Sequence, residues 1–220
     1  MHTLLKCIVG GLLASSAIQA SAVTLDFHCI TPNTSASCAI GENQFSVDML
    51  AGSTANQVNF TFRNTGIYQS GIDAVYFDAG SLASITGLID KDQGGGLAGV
   101  DFTEGDANPS HLPNGNNINP NFVVSAGLLA DSDAPVSKNA INTGEWLTVQ
   151  FNISSGRTFN DLITELTTGD LRVGVHALGF ANNGASVSLV NNAPVPVPAA
   201  FWLLGSGLLA LLTRLRKASR

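Results

Sequence analysis

The chain has 220 residues, 45% of them hydrophobic, and a formal net charge of −6 at pH 7. Residues 23–193 hold all sixteen Asp and Glu side chains but only five of the ten Lys and Arg, which gives this region a net charge of −11. A region this acidic repels anionic polymers and has no basic patch that could displace counterions from phosphates. Nucleic acid is therefore excluded as a partner.

The first 22 residues have the pattern of a secretory signal peptide. Lys6 gives a basic start, an apolar stretch runs from Cys7 to Ile18, and small residues follow at Ala20-Ser21-Ala22. This order predicts export and cleavage by signal peptidase after Ala22. Cys7 precedes most of the apolar stretch, so we expect it to be removed with the peptide.

Two cysteines, Cys29 and Cys38, remain after that cleavage. An even number of cysteines in an exported protein favours a disulfide, here closing a hairpin-like loop. A loop this short predicts a stabilisation of about 2–3 kcal/mol. The alternative is a pair of free buried thiols. A zinc site is disfavoured, because His28 is the only further candidate ligand near the two cysteines in the sequence.

The exported domain, residues 23–190, is predicted to be built from short β-strands. Apolar and polar residues alternate at period two, which is typical of antiparallel strands with one solvated face, and Gly, Asn, Asp and Pro cluster between them. Without βαβ alternation, the fold class is mainly β, an antiparallel β-sandwich or jelly roll with one short helix. The candidate strands are Val23–His28, Phe45–Leu50, Val58–Arg63, Ile72–Asp78, Val100–Thr103, Phe122–Ser125, Leu147–Ile153, Leu171–Ala177 and Ala185–Val190.

Residues 90–120 have an irregular, Gly- and Asn-rich sequence. Long loops of this kind are usually functional or disordered, and the apolar residues within this one keep an ordered binding loop open. Acidic residues in the loops raise the hypothesis of a calcium site, because calcium prefers carboxylate oxygens. Its candidate ligands are Asp90, Asp92, Asp131 and Asp133. The alternative is a solvated acidic surface, which the absence of a full EF-hand spacing favours, so no cofactor is expected.

One helix is predicted after the seventh candidate strand. Thr158 is its candidate N-cap with Asp161 in the first turn, and Gly169 is its candidate C-cap. Its buried stripe comprises Phe159, Leu162, Ile163 and Leu166. We expect this helix to pack on the sheet rather than to carry catalytic residues.

The C-terminal region predicts a membrane anchor. Residues 191–198 form a Pro-rich linker, residues 199–213 an uncharged apolar transmembrane helix, and residues 214–220 a basic cytoplasmic tail. The span is short against the ~20 residues usually needed, so we expect Trp202 and Arg214 to lie at opposite interfaces. A buried core helix is the alternative, which would not need a basic stop. The positive tail orients the exported domain outside the cytoplasm.

This tail resembles the PEP-CTERM sorting signal of Gram-negative bacteria. That family has a Pro-Glu-Pro motif, a helix rich in Trp, Leu and Gly, and an Arg-rich end. Here Pro196, Val197 and Pro198 occupy the motif, with Val197 where the family has Glu, and the helix and basic end follow. The resemblance implies processing by an exosortase, transient anchoring in the inner membrane with the body in the periplasm, and a final place at the cell surface or outside. It also implies an exopolysaccharide or biofilm context.

Patterns of catalytic residues are missing from the sequence. It lacks a G-x-S-x-G nucleophile elbow, a zinc-protease H-E-x-x-H and a nucleotide-binding loop. His28, His111 and His176 are scattered, and each is interpreted as a surface histidine. The chain is therefore not expected to be an enzyme.

Three functions remain open from the sequence. The first is a structural or interaction role in the extracellular matrix or biofilm. The second is a carbohydrate- or ligand-binding β-sandwich, with candidate contacts at Tyr68, Tyr76, Trp146 and residues 90–120. Trp146 lies on the polar face of its predicted strand, which suits stacking on a sugar and suits burial under a loop equally well. A secreted hydrolase is the least favoured.

Overall fold

The computed structural model describes residues 22–78, 80–90, 99–105, 110–181 and 185–192. Within these residues, eleven strands, three α-helices and a short 3-10 helix at Gly115–Asn117 form the fold. The strands are β1 (Ala22–Cys29), β2 (Phe45–Ala51), β3 (Gln57–Asn64), β4 (Gly71–Asp78), β5 (Leu82–Asp90), β6 (Phe102–Glu104), β7 (Leu129–Ser132), β8 (Ile141–Asn142), β9 (Trp146–Ile153), β10 (Arg172–Leu178) and β11 (Val187–Asn191). The α-helices are α1 (Ser35–Gln44), α2 (Val136–Asn139) and α3 (Phe159–Thr168).

All strand pairs are antiparallel and belong to one sheet, ordered β5-β9-β3-β2-β1-β11-β10-β4-β7-β6, with β8 paired to β4. The strands alternate buried and more exposed residues along much of their length, as the period-two pattern predicts. The predicted mainly β antiparallel fold is therefore confirmed. We call β5, β9, β3, β2 and β1 the first half-sheet, and β11, β10, β4, β7 and β6 the second half-sheet.

The two half-sheets face each other across the main core. The ring of Phe77 on β4 lies 5.3 Å from that of Phe60 and 6.0 Å from that of Phe62, both on β3. It also lies 4.6 Å from the ring of Phe151 on β9. Because β4 belongs to the other half-sheet, these edge-on contacts show that the sheet folds back on itself around an aromatic centre.

A second, smaller core lies on the outer face of the second half-sheet. Leu112 and Phe122, from the segment between β6 and β7, pack there with Tyr76. A Cβ at Gly174 on β10 would lie 2.7 Å from Leu112 and 3.0 Å from Phe122, so the glycine makes room for this segment. The described part of the predicted long loop therefore covers the sheet. The candidate strand Phe122–Ser125 was wrong, since these residues form part of that cover.

The predicted disulfide between Cys29 and Cys38 is confirmed. It joins the end of β1 to α1 rather than closing a hairpin-like loop, because Ser35–Gln44 form a helix. Nothing in the sequence marked this helix, since its apolar residues do not form a helical stripe and its N-cap, Thr34, makes no side-chain capping bond. Tertiary interactions stabilise this helix, namely the disulfide and the contacts with β1 and β11.

The predicted helix is confirmed as α3. The Thr158 hydroxyl accepts a hydrogen bond from the Asp161 N–H, and the Asp161 carboxylate accepts one from the Thr158 N–H, which completes a capping box. Gly169 ends the helix at φ 83°, a conformation that glycine adopts without strain. Leu162 and Leu166 are buried.

The predicted signal peptide, linker, sorting motif, anchor and basic tail lie outside the described residues, apart from Ala22, where β1 begins, and residues 191–192 of the linker. Asn191 ends β11, so the strand extends one residue into the predicted linker. Within the described part of the chain, the helices are too short or too polar to cross a membrane.

Candidate functional site

The outer face of the first half-sheet carries a continuous set of polar side chains. Inward positions of β2, β3 and β9 are apolar and buried, which leaves the alternate positions pointing outward. We call this surface the polar face. Its residues are Thr24, Asp26, Ser46, Asp48, Asn59, Thr61, Arg63, Trp146, Thr148 and Gln150.

Side-chain hydrogen bonds cross the strands of the polar face. The hydroxyls of Thr61 and Thr148 are 2.8 Å apart, and the Gln150 amide donates to the Asn59 carbonyl at 3.1 Å. Arg63 Nε donates to Asp48 at 2.9 Å. Cross-strand pairs of this kind stabilise the sheet and fix the side-chain positions. With two acids and one base in the set, the face is nearly neutral on a body that carries a charge of −11.

Trp146 begins β9 and lies opposite Arg63 in the ladder, on the polar face. Its side chain is half-buried rather than covered. The structure therefore places a partly accessible aromatic ring beside the Arg63–Asp48 ion pair, at the end of the first half-sheet.

The loop between β3 and β4, residues 65–70, lies at that same end and is held by a buried polar network. The Gln44 side chain donates to the Tyr68 carbonyl at 2.9 Å and accepts from the Tyr68 N–H at 2.7 Å. The Asn64 side chain donates to the Ser70 carbonyl at 2.9 Å. The Thr143 hydroxyl donates to the Tyr68 carbonyl at 3.0 Å. The loop is thus fixed at both ends and at its centre, while Ile67 is 87% and Tyr68 is 54% exposed.

The outer face of the second half-sheet holds a histidine–aspartate pair. The Nδ1 atom of His176 lies 2.8 and 2.9 Å from the two carboxylate oxygens of Asp73. Both side chains are about 15% exposed, so His176 points to the outer face, as the alternation of its strand predicts, and is mostly covered there. A β-bulge brings the two together, because the register shifts between His176 and Ala177 and leaves Asp73 as the extra residue on β4.

Ser188 lies opposite His176 in the β10–β11 ladder, so an aspartate, a histidine and a serine follow each other across three strands. This is the residue set of a nucleophilic triad. However, Ser188 is fully buried, and its hydroxyl has no hydrogen-bond partner among the described residues. A substrate cannot reach that hydroxyl in this conformation, so the set does not form a working nucleophile here.

Tyr76 cannot serve as a sugar-stacking residue. It is fully buried in the smaller core, under the segment that carries Leu112 and Phe122. Burial, and after it the charges of Asp73 and Asp131, raises the pKa of the Tyr76 phenol above its ordinary value. Of the three aromatic candidates from the sequence, Tyr68 and Trp146 remain accessible.

The candidate calcium ligands do not converge in the described part of the chain. Asp90 lies on β5, Asp131 lies on β7, and Asp133 accepts hydrogen bonds from the Thr103 hydroxyl at 3.0 and 3.2 Å. Asp92 lies outside the described residues. No group of three or more His, Cys, Asp or Glu side chains suited to a metal ion occurs where the structure describes the chain.

A shallow polar depression of about 370 Å³ lies beside α3. The Glu165 carboxylate at its floor accepts hydrogen bonds from the backbone N–H of Ser81, at 2.9 Å, and from the Ser81 hydroxyl. These bonds tie α3 to the turn before β5, and they occupy the carboxylate. We interpret the depression as structural.

No protein-family model matches the chain, and no curated protein matches it. One solved structure, from a study of "pH-induced modulation of Streptococcus parasanguinis adhesion by Fap1 fimbriae", is similar over 79% of this chain and 96% of its own. The identity is 8% and the TM-score 0.38. A likeness this distant carries no argument about the fold or function of this chain.

Proposed function

We propose that this chain is an exported protein of the cell surface or extracellular matrix with a structural or interaction role. The observation that carries the proposal is the disulfide between Cys29 and Cys38, because such bonds persist outside the reducing cytoplasm. The strongly acidic body supports the same reading, since a high net charge keeps an exported domain soluble and separate from like-charged copies. We class the folded sheet as a β-sandwich whose two layers stay joined through β1 and β11.

Export and sorting follow the two ends of the sequence. Signal peptidase cleaves after Ala22, and the apolar helix at residues 199–213 holds the body in the periplasm at the inner membrane. An exosortase then recognises the segment at Pro196-Val197-Pro198 and removes the tail. This proposal rests on the sequence pattern and on the resemblance to the PEP-CTERM signal.

Fractionation tests the sorting proposal. The full-length chain, a truncation lacking residues 194–220, and the variant Val197→Glu would be expressed in a host that carries an exosortase. We expect the truncation to leave the membrane fraction and Val197→Glu to be processed at least as fully as the full-length chain. Identical fractionation of the truncation and the full-length chain would contradict the anchor.

Carbohydrate binding on the polar face is a second candidate. Its support is the half-buried Trp146 ring, which lies opposite Arg63 on a face that also carries hydroxyl and amide side chains able to bond to sugar hydroxyls. A polysaccharide pull-down tests it, with Trp146→Ala expected to reduce retention. A secreted hydrolase is the least favoured function, and we propose no catalytic role.

A further inference from the structure

We propose that the loop of residues 65–70 is a preformed binding site for a neutral polysaccharide, with Tyr68 as its stacking residue. The proposal rests on the interaction role given above and assigns the ligand class and a location to it. Neither Ile67 nor Tyr68 contributes to the core clusters, and both are exposed although they are large and apolar.

The loop is already ordered before any ligand binds. Gln44 is 4% exposed and bonds both the N–H and the carbonyl of Tyr68. At Gly66, an added Cβ would lie 1.9 Å from the Gln44 side chain, so this glycine permits the loop to close over the glutamine. A site held by its own buried hydrogen bonds loses little conformational entropy on binding.

The chemistry around the tip of the loop, Ile67 and Tyr68, favours an uncharged, hydroxyl-rich ligand. The loop contacts two other segments, through Thr143 and through the Ala181 N–H, which donates to the Gln69 carbonyl at 3.1 Å. Residues 64–71, 140–144 and 178–181 contain no charged side chain. Of the two charged residues that flank them, Glu145 accepts a hydrogen bond from the Asn142 N–H at 2.8 Å, and Arg63 pairs with Asp48. The three segments therefore offer an aromatic face, an aliphatic side chain, hydroxyls and amides. They offer no cationic side chain to pair with a phosphate, a sulfate or a uronate.

The size of the tip decides against a protein or a membrane as the occupant. A stable protein interface buries about 800 Å² on each partner, whereas one aromatic side chain buries about 150–250 Å². A single acyl chain already gives only marginal membrane binding, and two partly exposed side chains offer less apolar surface. A polysaccharide repeats its sugar unit, so many copies of one small site can bind it through avidity.

The position of the loop agrees with a ligand that lies away from the membrane. Gly71 pairs with Leu178, and Ala177 with Val187, so β11 starts at the loop end and runs away from it to Asn191. Ala22 pairs with Leu50 and also lies at the far end. The loop of residues 65–70 therefore lies at the end of the sheet opposite to the one where β11 leads toward the predicted linker.

Affinity gel electrophoresis of the exported domain tests the proposal. The gels contain a soluble β-glucan, a soluble α-glucan, a galactomannan or, as the charged control, alginate. We expect a neutral polymer to retard the domain, Tyr68→Ala and Ile67→Ser to weaken the binding at least about fivefold, and Tyr68→Phe to retain it. Val123→Ser is the matched control, because Val123 is 64% exposed elsewhere on the surface.

The outcomes separate this proposal from the others. If Trp146→Ala abolishes the retardation and Tyr68→Ala does not, the sugar binds on the polar face and the assignment of the site to the loop is overturned. Retardation by alginate alone, or by no neutral polymer, would overturn the ligand class while leaving export and sorting untouched. Equal loss in Val123→Ser would also overturn it. Thermal melting of each variant confirms folding, and Ile67→Ser supplies a second reading if Tyr68→Ala fails to fold.

Discussion

Gly66 and Gln44 depend on each other at the level of single atoms. The glycine has no positive φ, so its role is the close approach of a side chain and not a special backbone conformation. The side chain of the glutamine in turn bonds to Tyr68 and Ser70 in the loop and to Asn64 at the end of β3. Glycine is required at position 66 because the Gln44 side chain fills the space of a Cβ, and Gln44 can be buried because the loop bonds its side chain.

A double-mutant cycle measures this dependence. Gly66→Ala should lower the free energy of unfolding by about 1–3 kcal/mol, because its methyl group overlaps the Gln44 side chain. Gln44→Ala should cost a similar ~1–3 kcal/mol, since it leaves buried backbone groups of the loop unpaired. The double variant should lose less than the sum. Urea unfolding gives the values, with Val123→Ala, at an exposed position, as a control that should stay within about 0.5 kcal/mol. Strict additivity would contradict the contact.

The capping box of α3 predicts a specific pH dependence. Hydrogen bonds from Thr158 lower the pKa of the Asp161 carboxyl below its ordinary 3.8. A carboxyl whose pKa is lowered by folding stabilises the protein above its unfolded pKa and loses that contribution as the pH falls through the folded pKa. We therefore expect Asp161→Asn to be less stable than the wild type at pH 7, with the difference disappearing below pH 3.8.

Urea unfolding across this pH range measures the difference, and Thr158→Ala is the control. That variant removes the hydroxyl that makes the larger contribution to the lowered pKa and keeps the backbone N–H, so the pH-dependent effect of Asp161→Asn should be smaller in it. A difference that stays constant from pH 7 to pH 3 would contradict the assignment.

At the scale of elements, α1 is the one that the disulfide holds in place. Replacing both Cys29 and Cys38 with Ser should lower the free energy of unfolding by about 2–3 kcal/mol, because the closed loop is short. Reductant should produce the same loss in the wild type and no change in the double variant. Hydrogen exchange should show the largest increase in α1. An unchanged unfolding midpoint in reductant would contradict a stabilising bond.

An element could be predicted from the sequence where its own residues specify it, and could not be predicted where contacts with distant residues do. The α3 helix could be predicted because its cap, its stripe and its terminal glycine are all local signals. The α1 helix could not, because tertiary contacts hold it and its own residues lack a stripe. Residues 122–125 have a strand-like composition, yet they serve as a cover, and that depends on Gly174 some fifty positions away.

At the scale of the whole molecule, Phe77 connects the two half-sheets. Phe77→Ala should cost about 3–5 kcal/mol, because it removes a ring that touches three others across the core. Phe77→Leu is the milder variant, and it keeps the measurement possible if the alanine variant does not fold. Val123→Ala, at an exposed position, should stay within about 0.5 kcal/mol. An equal effect of Phe77→Leu and Val123→Ala on the urea midpoint would contradict the shared core.

The candidate sites differ in how far the sequence could reveal them. Trp146 could be assigned to an outward face, because alternation along one strand is enough. Tyr76 could not be excluded, because its burial depends on a cover that comes from another part of the chain. The ordering of residues 65–70 was equally hidden, since Gln44 and Tyr68 are 24 positions apart and meet only in the folded sheet.

The order of strands in the sheet also bears on translocation. β11, the last described strand, lies between β1, the first described strand, and β10. If the chain crosses a membrane from its N-terminus, as proposed above, β1 emerges long before its neighbour β11, and the two half-sheets cannot join until residues 187–191 have crossed. The proposed sorting tail follows that strand closely in the sequence. On the proposed route, the closure of the sheet and the arrest of the chain in the bilayer therefore fall within a few residues of each other, and the fold is completed at the membrane.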